Sequence, residues 1–291
     1  MVLILIKEFL NLIRVRQWYK NLIVFMAVIF SGNILSFDLV LISFMAFVSL
    51  CLSSSATYLI NDLKDLARDK IHPEKKFRPL ASGKFQKWQA RLLAVVFLAA
   101  GLMIAWQVNY YFFLILILLF ALSQIYTFFL KKIIIADILT ISSFFVIRAI
   151  SGAIAIDVVI SPWLILCPFF LALFLIVGKR RADLRILIKN NELHEVESKG
   201  IVTGYSLELT NSLMSISTAL LVLSYSLYSF LSEYNSLMLT IPFAMYVIFH
   251  YYQLILHDSV IARQPEKIIK DKRIVIGVML WLVITFMLIY V

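Results

Sequence analysis

Charge is what this sequence has least of. Only 15% of its 291 residues are Asp, Glu, Lys or Arg, whereas 62% are hydrophobic and the mean hydropathy is +0.94. Soluble domains carry roughly 25% charged residues, so a soluble enzyme is excluded and an integral membrane protein is implied. No polar stretch is long enough to build a separate soluble module, and residues 1–291 read as one transmembrane domain. The alternating short strands of a membrane β-barrel are also missing; runs such as LLAVVFLAAGLMIAW are continuous instead. The two cysteines, Cys51 and Cys167, lie far apart in apolar runs and point to neither a disulfide nor a metal site. His194, His250 and His257 lack metal-ligand spacing. No cleavable leader is expected, since Lys7 and Glu8 interrupt the first apolar stretch and no small-residue cleavage site follows.

What is present is a series of apolar segments of about 20 residues, the length that crosses a bilayer as a helix. Nine are predicted, near 19–37, 39–60, 89–106, 110–130, 136–156, 161–178, 207–230, 235–256 and 274–291; the first carries Asn33 and Ser36 near its end. Of the 27 Lys and Arg residues, 26 fall before the first span or in alternate connections, and the four opposite loops hold none. By the positive-inside tendency this places the N-terminus in the cytoplasm of a multi-pass protein of the inner or plasma membrane. The net charge of +10 then faces the cytoplasm and its anionic lipid surface, and no nucleic-acid partner is expected. The oligomeric state is left open, a homo-oligomer included. The remaining basic residue, Arg148, sits inside the fifth span, where a charge is costly; it is either paired structurally within the bundle or a site residue.

Charge of both signs concentrates in one stretch, NDLKDLARDKIHPEKKFRPLASGK, residues 61–84. Asp62, Asp65 and Asp69, at offsets of three and four, share one face of a helix continuing from the second span. Such like charges repel, and a divalent cation would reverse that; oxygen ligands suit Mg²⁺, which commonly takes one or two carboxylates plus substrate phosphates. The plainer alternative is a solvated helix end with Lys64, Arg68 and Lys70 pairing the acids. His72-Pro73 ends the helix, and Lys75, Lys76, Arg78 and Lys84 follow with Gly83 for a tight turn. Acids followed by a cationic loop suit a metal-bound diphosphate. Topology alone explains the cations but not the carboxylates.

NDLKDLARD is similar to the NDxxDxxxD motif of the UbiA superfamily of intramembrane prenyltransferases, which implies an all-α bundle of nine transmembrane helices with cytoplasmic caps. Its continuation, with His72, Pro73, Lys75, Arg78, Pro79, Ala81 and Gly83, resembles one branch, the polyprenyl-phosphate phosphoribosyltransferases (decaprenylphosphoryl-5-phosphoribose synthases). So does RVRQWYKNLIVF, which offers Arg16, Gln17, Lys20 and Asn21. Aromatic prenyltransferases of the superfamily carry a second acidic motif, DxxxD, after the sixth span. This chain has GKRRADLR there, with Lys179, Arg180, Arg181 and Arg185 around the single Asp183; a snorkelling basic helix end is the plainer reading.

The resemblance implies Mg²⁺-dependent transfer of 5-phosphoribosyl from 5-phosphoribosyl diphosphate to a decaprenyl-phosphate-like lipid, in cell-envelope biosynthesis. Asn61, Asp62, Asp65 and Asp69 would hold the metal, and Asp62, Asp65, Lys75 and Arg78 would serve catalysis. Gln17, Lys20, Asn21, His72, Lys84, Tyr126, Lys131, Arg148, Lys179, Arg180 and Asp183 would bind substrate. Asp137 would pair with Lys132 or help the metal, and Glu266 and Asp271 would touch the ribose unless they form an ordinary exposed loop. The acceptor phosphate is already ionised, so no general base is needed. The competing readings are an aromatic prenyltransferase using a polyprenyl diphosphate donor, and a transporter or lipid-binding protein. The latter requires a polar path through spans that supply little beyond Arg148.

Overall fold

A computed structural model describes residues 2–71, 75–189, 204–257 and 259–290, and every regular element among them is helical. Helix α1 (Val2–Leu12) precedes a 3-10 helix, Val15–Phe25, and the short α2 (Met26–Phe30). Then come α3 (Phe37–Ile71), α4 (Lys87–Val108), α5 (Tyr110–Phe128), α6 (Ala136–Ala155) and α7 (Pro162–Lys189). The chain ends with α8 (Leu207–Leu231), α9 (Ile241–Leu256), α10 (Val260–Arg263) and α11 (Lys272–Tyr290). Among the described residues, eight helices are long and apolar enough to cross a membrane: α3 to α8, α9 with the preceding turn from Ser236, and α11. The protein is a multi-pass membrane protein.

Eight of the nine segments expected from hydropathy coincide with these helices. The first, 19–37, does not form one long α-helix; it lies mostly in the 3-10 helix and α2. The reason is in the side chains. A 3-10 helix has three residues per turn, and Arg16, Tyr19 and Leu22 are exposed while Asn21 and Val24 are buried and Trp18 is half-buried. Trp18 Nε1 donates to Ser55 Oγ at 3.0 Å, and Asn21 Nδ2 to Cys51 Sγ at 3.3 Å. A period of three thus aims Trp18 and Asn21 at α3. At about 2.0 Å per residue, eleven 3-10 residues reach roughly 22 Å, and five α-helical ones add about 7.5 Å. The pair therefore matches the roughly 30 Å of a hydrocarbon core with fewer residues than an α-helix needs.

By packing, the described chain separates into two compact units, Met1–Phe129 with Ile147–Ile160, and Leu130–Val146 with Ser161–Val291. In the first unit, α3 and α4 meet along small buried residues: Ala46, Ser49, Ser53 and Ala56 on one, Ala90, Ala94, Gly101 and Ala105 on the other. Small residues let helix backbones approach in a bilayer, where oil offers no hydrophobic preference for helix over lipid. Ser49 Oγ accordingly reaches the Gly101 carbonyl at 2.8 Å. Asn109, between α4 and α5, accepts from Phe112 N at 2.8 Å and donates to the Ile154 and Ala155 carbonyls. One amide therefore caps the start of α5 and the end of α6. In the second unit the core is Ile138, Phe174, Val177, Met214, Tyr251 and Ile255 with their neighbours.

Among the glycines of the first unit, Gly152 makes the tightest backbone approach. A Cβ there would overlap the Val24 carbonyl oxygen and sit 2.9 Å from its carbon. Gly152→Ala should therefore displace the 3-10 helix and cost about 1–3 kcal/mol, lowering the thermal midpoint in detergent by several degrees. Gly101→Ala, whose Cβ would lie 3.1 Å from the Ser49 carbonyl oxygen, should cost less. An unchanged midpoint for Gly152→Ala would contradict the packing.

Candidate active site

The site begins with the length of α3. Its 35 residues extend about 52 Å, well beyond a hydrocarbon core of about 30 Å, so its last turns project out of the apolar span. They carry the acids. Asp62 and Asp69 are buried, Asn61 and Asp65 half-buried, and Lys64, Arg68 and Lys70 lie exposed. The expected single acidic face is therefore present on one unbroken helix.

The buried acids take their cations from outside the helix. Arg78 Nη1 lies 3.0 Å from Asp62 Oδ1 and 2.7 Å from Asp69 Oδ2, bridging two turns of α3. Arg14 pairs with the same Asp62 oxygen, and its guanidinium stacks 5.0 Å from the centre of the Tyr58 ring. Desolvating a carboxylate costs several kcal/mol unless it is paired and hydrogen-bonded; two acids and two arginines balance here. The loop is built to return Arg78. Ser82 N donates to the Arg78 carbonyl at 2.8 Å, Gly83 adopts φ +78°, and buried Leu80 plugs the cluster of Leu12, Leu59, Leu66, Ala90 and Ala94.

Other expected residues of this unit are placed as follows. Lys75 opens the 3-10 turn Lys75–Phe77 and is half-buried, as are Gln17, Lys20 and Tyr126. Lys84 is exposed and pairs with Glu8 Oε1 at 2.6 Å. Lys64 donates to the Thr127 carbonyl at 2.5 Å and sits 3.9 Å from the Phe128 ring centre. Asn21 is buried and accepts from Arg148 Nε at 2.8 Å. His72 lies outside the described residues. Arg14 and Tyr58 are participants that the sequence did not reveal; Arg14 acts across 48 residues and carried no local signal.

The second unit holds the cationic segment at the end of α7. Lys179 and Arg180 are half-buried there, and Lys131 is exposed on the turn before α6. Arg180 grips Asp137 through Nε at 2.8 Å and Nη2 at 2.7 Å. Asp137 therefore pairs with Arg180 and not with its sequence neighbour Lys132, because it faces inward, 4% exposed, from the first turn of α6. Asp183 pairs with Arg263 at 3.1 Å, a partner not expected from sequence. Arg181 turns into the core, donating to Asn211 Oδ1 at 2.7 Å and to the Ile255 carbonyl at 2.9 Å. Burial, reinforced by the Asp137 carboxylate, pushes the Tyr205 phenol above its usual range, so it stays neutral.

Asp271 serves as a helix cap. Its Oδ1 accepts from Arg273 N at 2.9 Å and Ile274 N at 3.1 Å, and lies 3.4 Å from His250 Nε2. Burial opposes ionisation, but these donors prevail and hold the carboxyl below its ordinary range. The side chain of Glu266, the other acid expected at the ribose, falls outside the described residues.

Among the described residues no three His, Cys, Asp or Glu side chains converge into a closed metal cage. Mg²⁺ is commonly held by one or two carboxylates and completes its shell with water and phosphate oxygens. Asp62 and Asp69, with Asp65 and Asn61 beside them, supply an all-oxygen donor set on one face, and the residues fit that ion.

The family profile described as the UbiA prenyltransferase family matches residues 21–270. The decaprenyl-phosphate phosphoribosyltransferase of Mycolicibacterium smegmatis is 30% identical over 296 residues, covering 96% of this chain and 91% of that protein. Its namesake from Mycobacterium tuberculosis is 32% identical over 284 residues, covering 93% and 90%. Among solved structures, a UbiA homologue from Archaeoglobus fulgidus bound to GPP and Mg²⁺ aligns with a TM-score of 0.72 and 17% identity, over 98% of this chain and 100% of that one. That likeness concerns the fold.

Two outcomes follow from the ion pairs. Arg78→Ala leaves two buried acids short of a cation and should cost about 3 kcal/mol or more. Adding Asp69→Asn should restore part of that loss in a double-mutant cycle, and strict additivity would show the bridge to be idle. Asp271 has a depressed folded pKa, so its stabilisation is present above the unfolded pKa and disappears as pH falls through the folded one. Asp271→Asn should flatten that acid limb of a stability–pH profile, and an unchanged limb would remove the cap from the account.

Proposed function

The chain belongs to the UbiA prenyltransferase family, and within it we propose that it transfers 5-phosphoribosyl from 5-phosphoribosyl diphosphate to a polyprenyl phosphate, releasing diphosphate. The observation that carries this reading is the asymmetry of charge between the ends of α3 and α7. The end of α3 carries three carboxylates, Asp62, Asp65 and Asp69, whereas the end of α7 carries four cations, Lys179, Arg180, Arg181 and Arg185, around the single Asp183. A donor held between two acidic motifs needs acids at both places. A reaction in which both substrates bear phosphate needs cations at one of them. The names of the two mycobacterial relatives support the same choice.

The chemistry requires no base. An oxygen of the ionised acceptor phosphate attacks the anomeric carbon, the bond from that carbon to the diphosphate oxygen breaks, and its electron pair leaves with diphosphate. Direct displacement inverts the anomeric centre, and positive charge develops on the ribose as negative charge develops on the leaving group. Asn61, Asp62, Asp65 and Asp69 would hold Mg²⁺, which when bound neutralises the leaving diphosphate. Arg78, prepositioned by Asp62 and Asp69, and Lys75 grip diphosphate oxygens in charge-assisted hydrogen bonds. Lys179 and Arg180, the latter oriented by Asp137, together with Asp183, Lys131, Tyr126, Lys84, His72 and Gln17, bind and align the phosphorylated substrates. One transmembrane domain, residues 1–291, carries the activity in the inner or plasma membrane, with its site facing the cytoplasm.

Purified protein with Mg²⁺, labelled phosphoribosyl diphosphate and a polyprenyl phosphate should yield a labelled lipid, and chelation should stop it. Asp62→Asn and Asp65→Asn should each lower turnover by about a hundredfold or more; Asp65→Asn should insert and purify normally, whereas Asp62→Asn, which leaves Arg14 and Arg78 short of an acid, should also lower the thermal midpoint. No labelled lipid, together with turnover of a prenyl diphosphate with an aromatic acid, would overturn the proposal.

A further inference from the structure

Helix α4 buries only small residues, Ala90, Ala94, Gly101 and Ala105, and carries no Asp or Glu along its length. Its first turns present two exposed cations, Lys87 and Arg91. Four residues apart, they stand on one face of the helix. Among the described residues neither forms an ion pair or a side-chain hydrogen bond. Beside Arg91 opens a groove of about 210 Å³, walled by Ile60 and Leu63 of α3 and by Ala94, Val95 and Leu98 of α4. Arg91 is the one charged residue in that lining. From Arg91 to Leu98 the groove runs about 10 Å along α4, from the membrane edge toward the middle of the span. Ile60 and Leu63 lie about 100° to 160° around α3 from Asp62. The groove is therefore on the outside of the helix that carries the acids and is no part of the site described above. Trp88, 57% exposed, marks the depth, because indole rings collect at the membrane–water interface. Arg91 stands about 4.5 Å further in.

We propose that this groove holds an acidic phospholipid of the leaflet beside the acidic end of α3, its headgroup on Arg91 and Lys87 and one acyl chain between α3 and α4. The lipid is neither donor nor acceptor, and the inference does not depend on the transfer reading. Depth, charge and lining point to the same occupant. An unpaired arginine just inside the bilayer is costly, and it lowers that cost by laying its stem on apolar surface and reaching toward the headgroups. The anion found at that depth is a phosphodiester, two of whose oxygens a guanidinium can take at once. Basic pockets between membrane helices are where acidic headgroups bind. A free phosphate would meet the cations but gain nothing from Ile60, Leu63, Val95 and Leu98. A phosphatidylcholine would fill the groove but bring an ammonium toward two cations. An acidic lipid suits both the walls and the charge. The wall also ties the lipid to the site, since Ile60 and Leu63 bracket Asn61 and Asp62 in sequence. A chain lodged there braces, from the lipid side, the turn of α3 that presents the acids.

The test titrates the delipidated full chain in detergent with dioleoyl phosphatidylglycerol or dioleoyl phosphatidylcholine. Bound lipid is counted by native mass spectrometry, and thermal midpoints are recorded alongside. The parent should retain phosphatidylglycerol in preference to phosphatidylcholine, and phosphatidylglycerol should raise its midpoint, as a ligand of the folded state does. Arg91→Gln should weaken phosphatidylglycerol binding about fivefold, the worth of one basic residue at an anionic membrane surface. Adding Lys87→Gln should weaken it further, and phosphatidylcholine retention should not change. Val95→Trp, which fills the groove and keeps both cations, should displace the lipid. Val96→Trp, exposed but outside the groove, should not. All four positions are exposed, so the variants should fold, and midpoints without lipid verify it. Glycerol 3-phosphate, a headgroup without chains, should not compete. Unchanged phosphatidylglycerol retention in Arg91→Gln or in Val95→Trp would overturn the proposal. So would equal retention of the two lipids, or competition by glycerol 3-phosphate. An Arg91→Gln variant that loses a multimeric mass while keeping its lipid would give this face to a second copy of the chain, and that too overturns it.

Discussion

A single guanidinium, that of Arg78, holds together the part of the molecule on which everything else depends. It spans Asp62 and Asp69, two buried carboxylates two turns apart on α3. Without it those turns would present like charges on a desolvated face. The bridge also explains the otherwise odd features around it. Helix α3 must outlast the bilayer to bring the acids out of the oil. The loop after it must turn sharply at Gly83 and be pinned by Leu80, so that Arg78 comes back onto the helix it has just left. A cationic loop following an acidic helix end is therefore one folded object, whose charges are already near balance before any ligand arrives.

The 3-10 helix Val15–Phe25 extends that object inward. Three residues per turn place Trp18 and Asn21 on one edge against α3, with Arg14 at the left-handed residue just before it, φ 54°. An α-helix would rotate these residues about 100° per step and spread them around its circumference. The tighter coil keeps polar side chains in line: Arg14 reaches Asp62, Trp18 reaches Ser55 and Asn21 reaches Cys51. The outcome is a graded polar strip along α3, acidic where it leaves the membrane and cationic further in.

Much of this was legible in the sequence, for identifiable reasons. The acidic face follows from offsets of three and four on a helix, and eight of the spans follow from runs of apolar residues. The pairing of Asp62 and Asp69 by Arg78 was not, since the order of acids, proline and cations suggested a ligand's phosphates for Arg78, and adjacency offered Lys64, Arg68 and Lys70 for the acids. The 3-10 segment was not legible, because a hydropathy average over Leu22 to Phe30 is blind to the period in which Arg16, Tyr19 and Leu22 recur. Nor were Asp137–Arg180 and Asp183–Arg263, pairs formed over 43 and 80 residues. Adjacency suggested Lys132 for Asp137, but the first turn of α6 points that carboxylate into the protein. Asp271 resembled a ligand residue only because a helix cap and a binding acid look alike without the two backbone amides that it accepts.

The central claim is that the acidic end of α3 and its arginine clasp receive a metal-bound phosphoribosyl diphosphate. Its most direct measurement is equilibrium binding of labelled phosphoribosyl diphosphate, in competition with a prenyl diphosphate, to the purified protein with and without Mg²⁺ and with no acceptor present. The account predicts that phosphoribosyl diphosphate binds in a Mg²⁺-dependent manner, is displaced poorly by prenyl diphosphate, and loses its metal dependence in Asp62→Asn. Preferential binding of the prenyl diphosphate, or donor binding indifferent to both metal and Asp62, would contradict it.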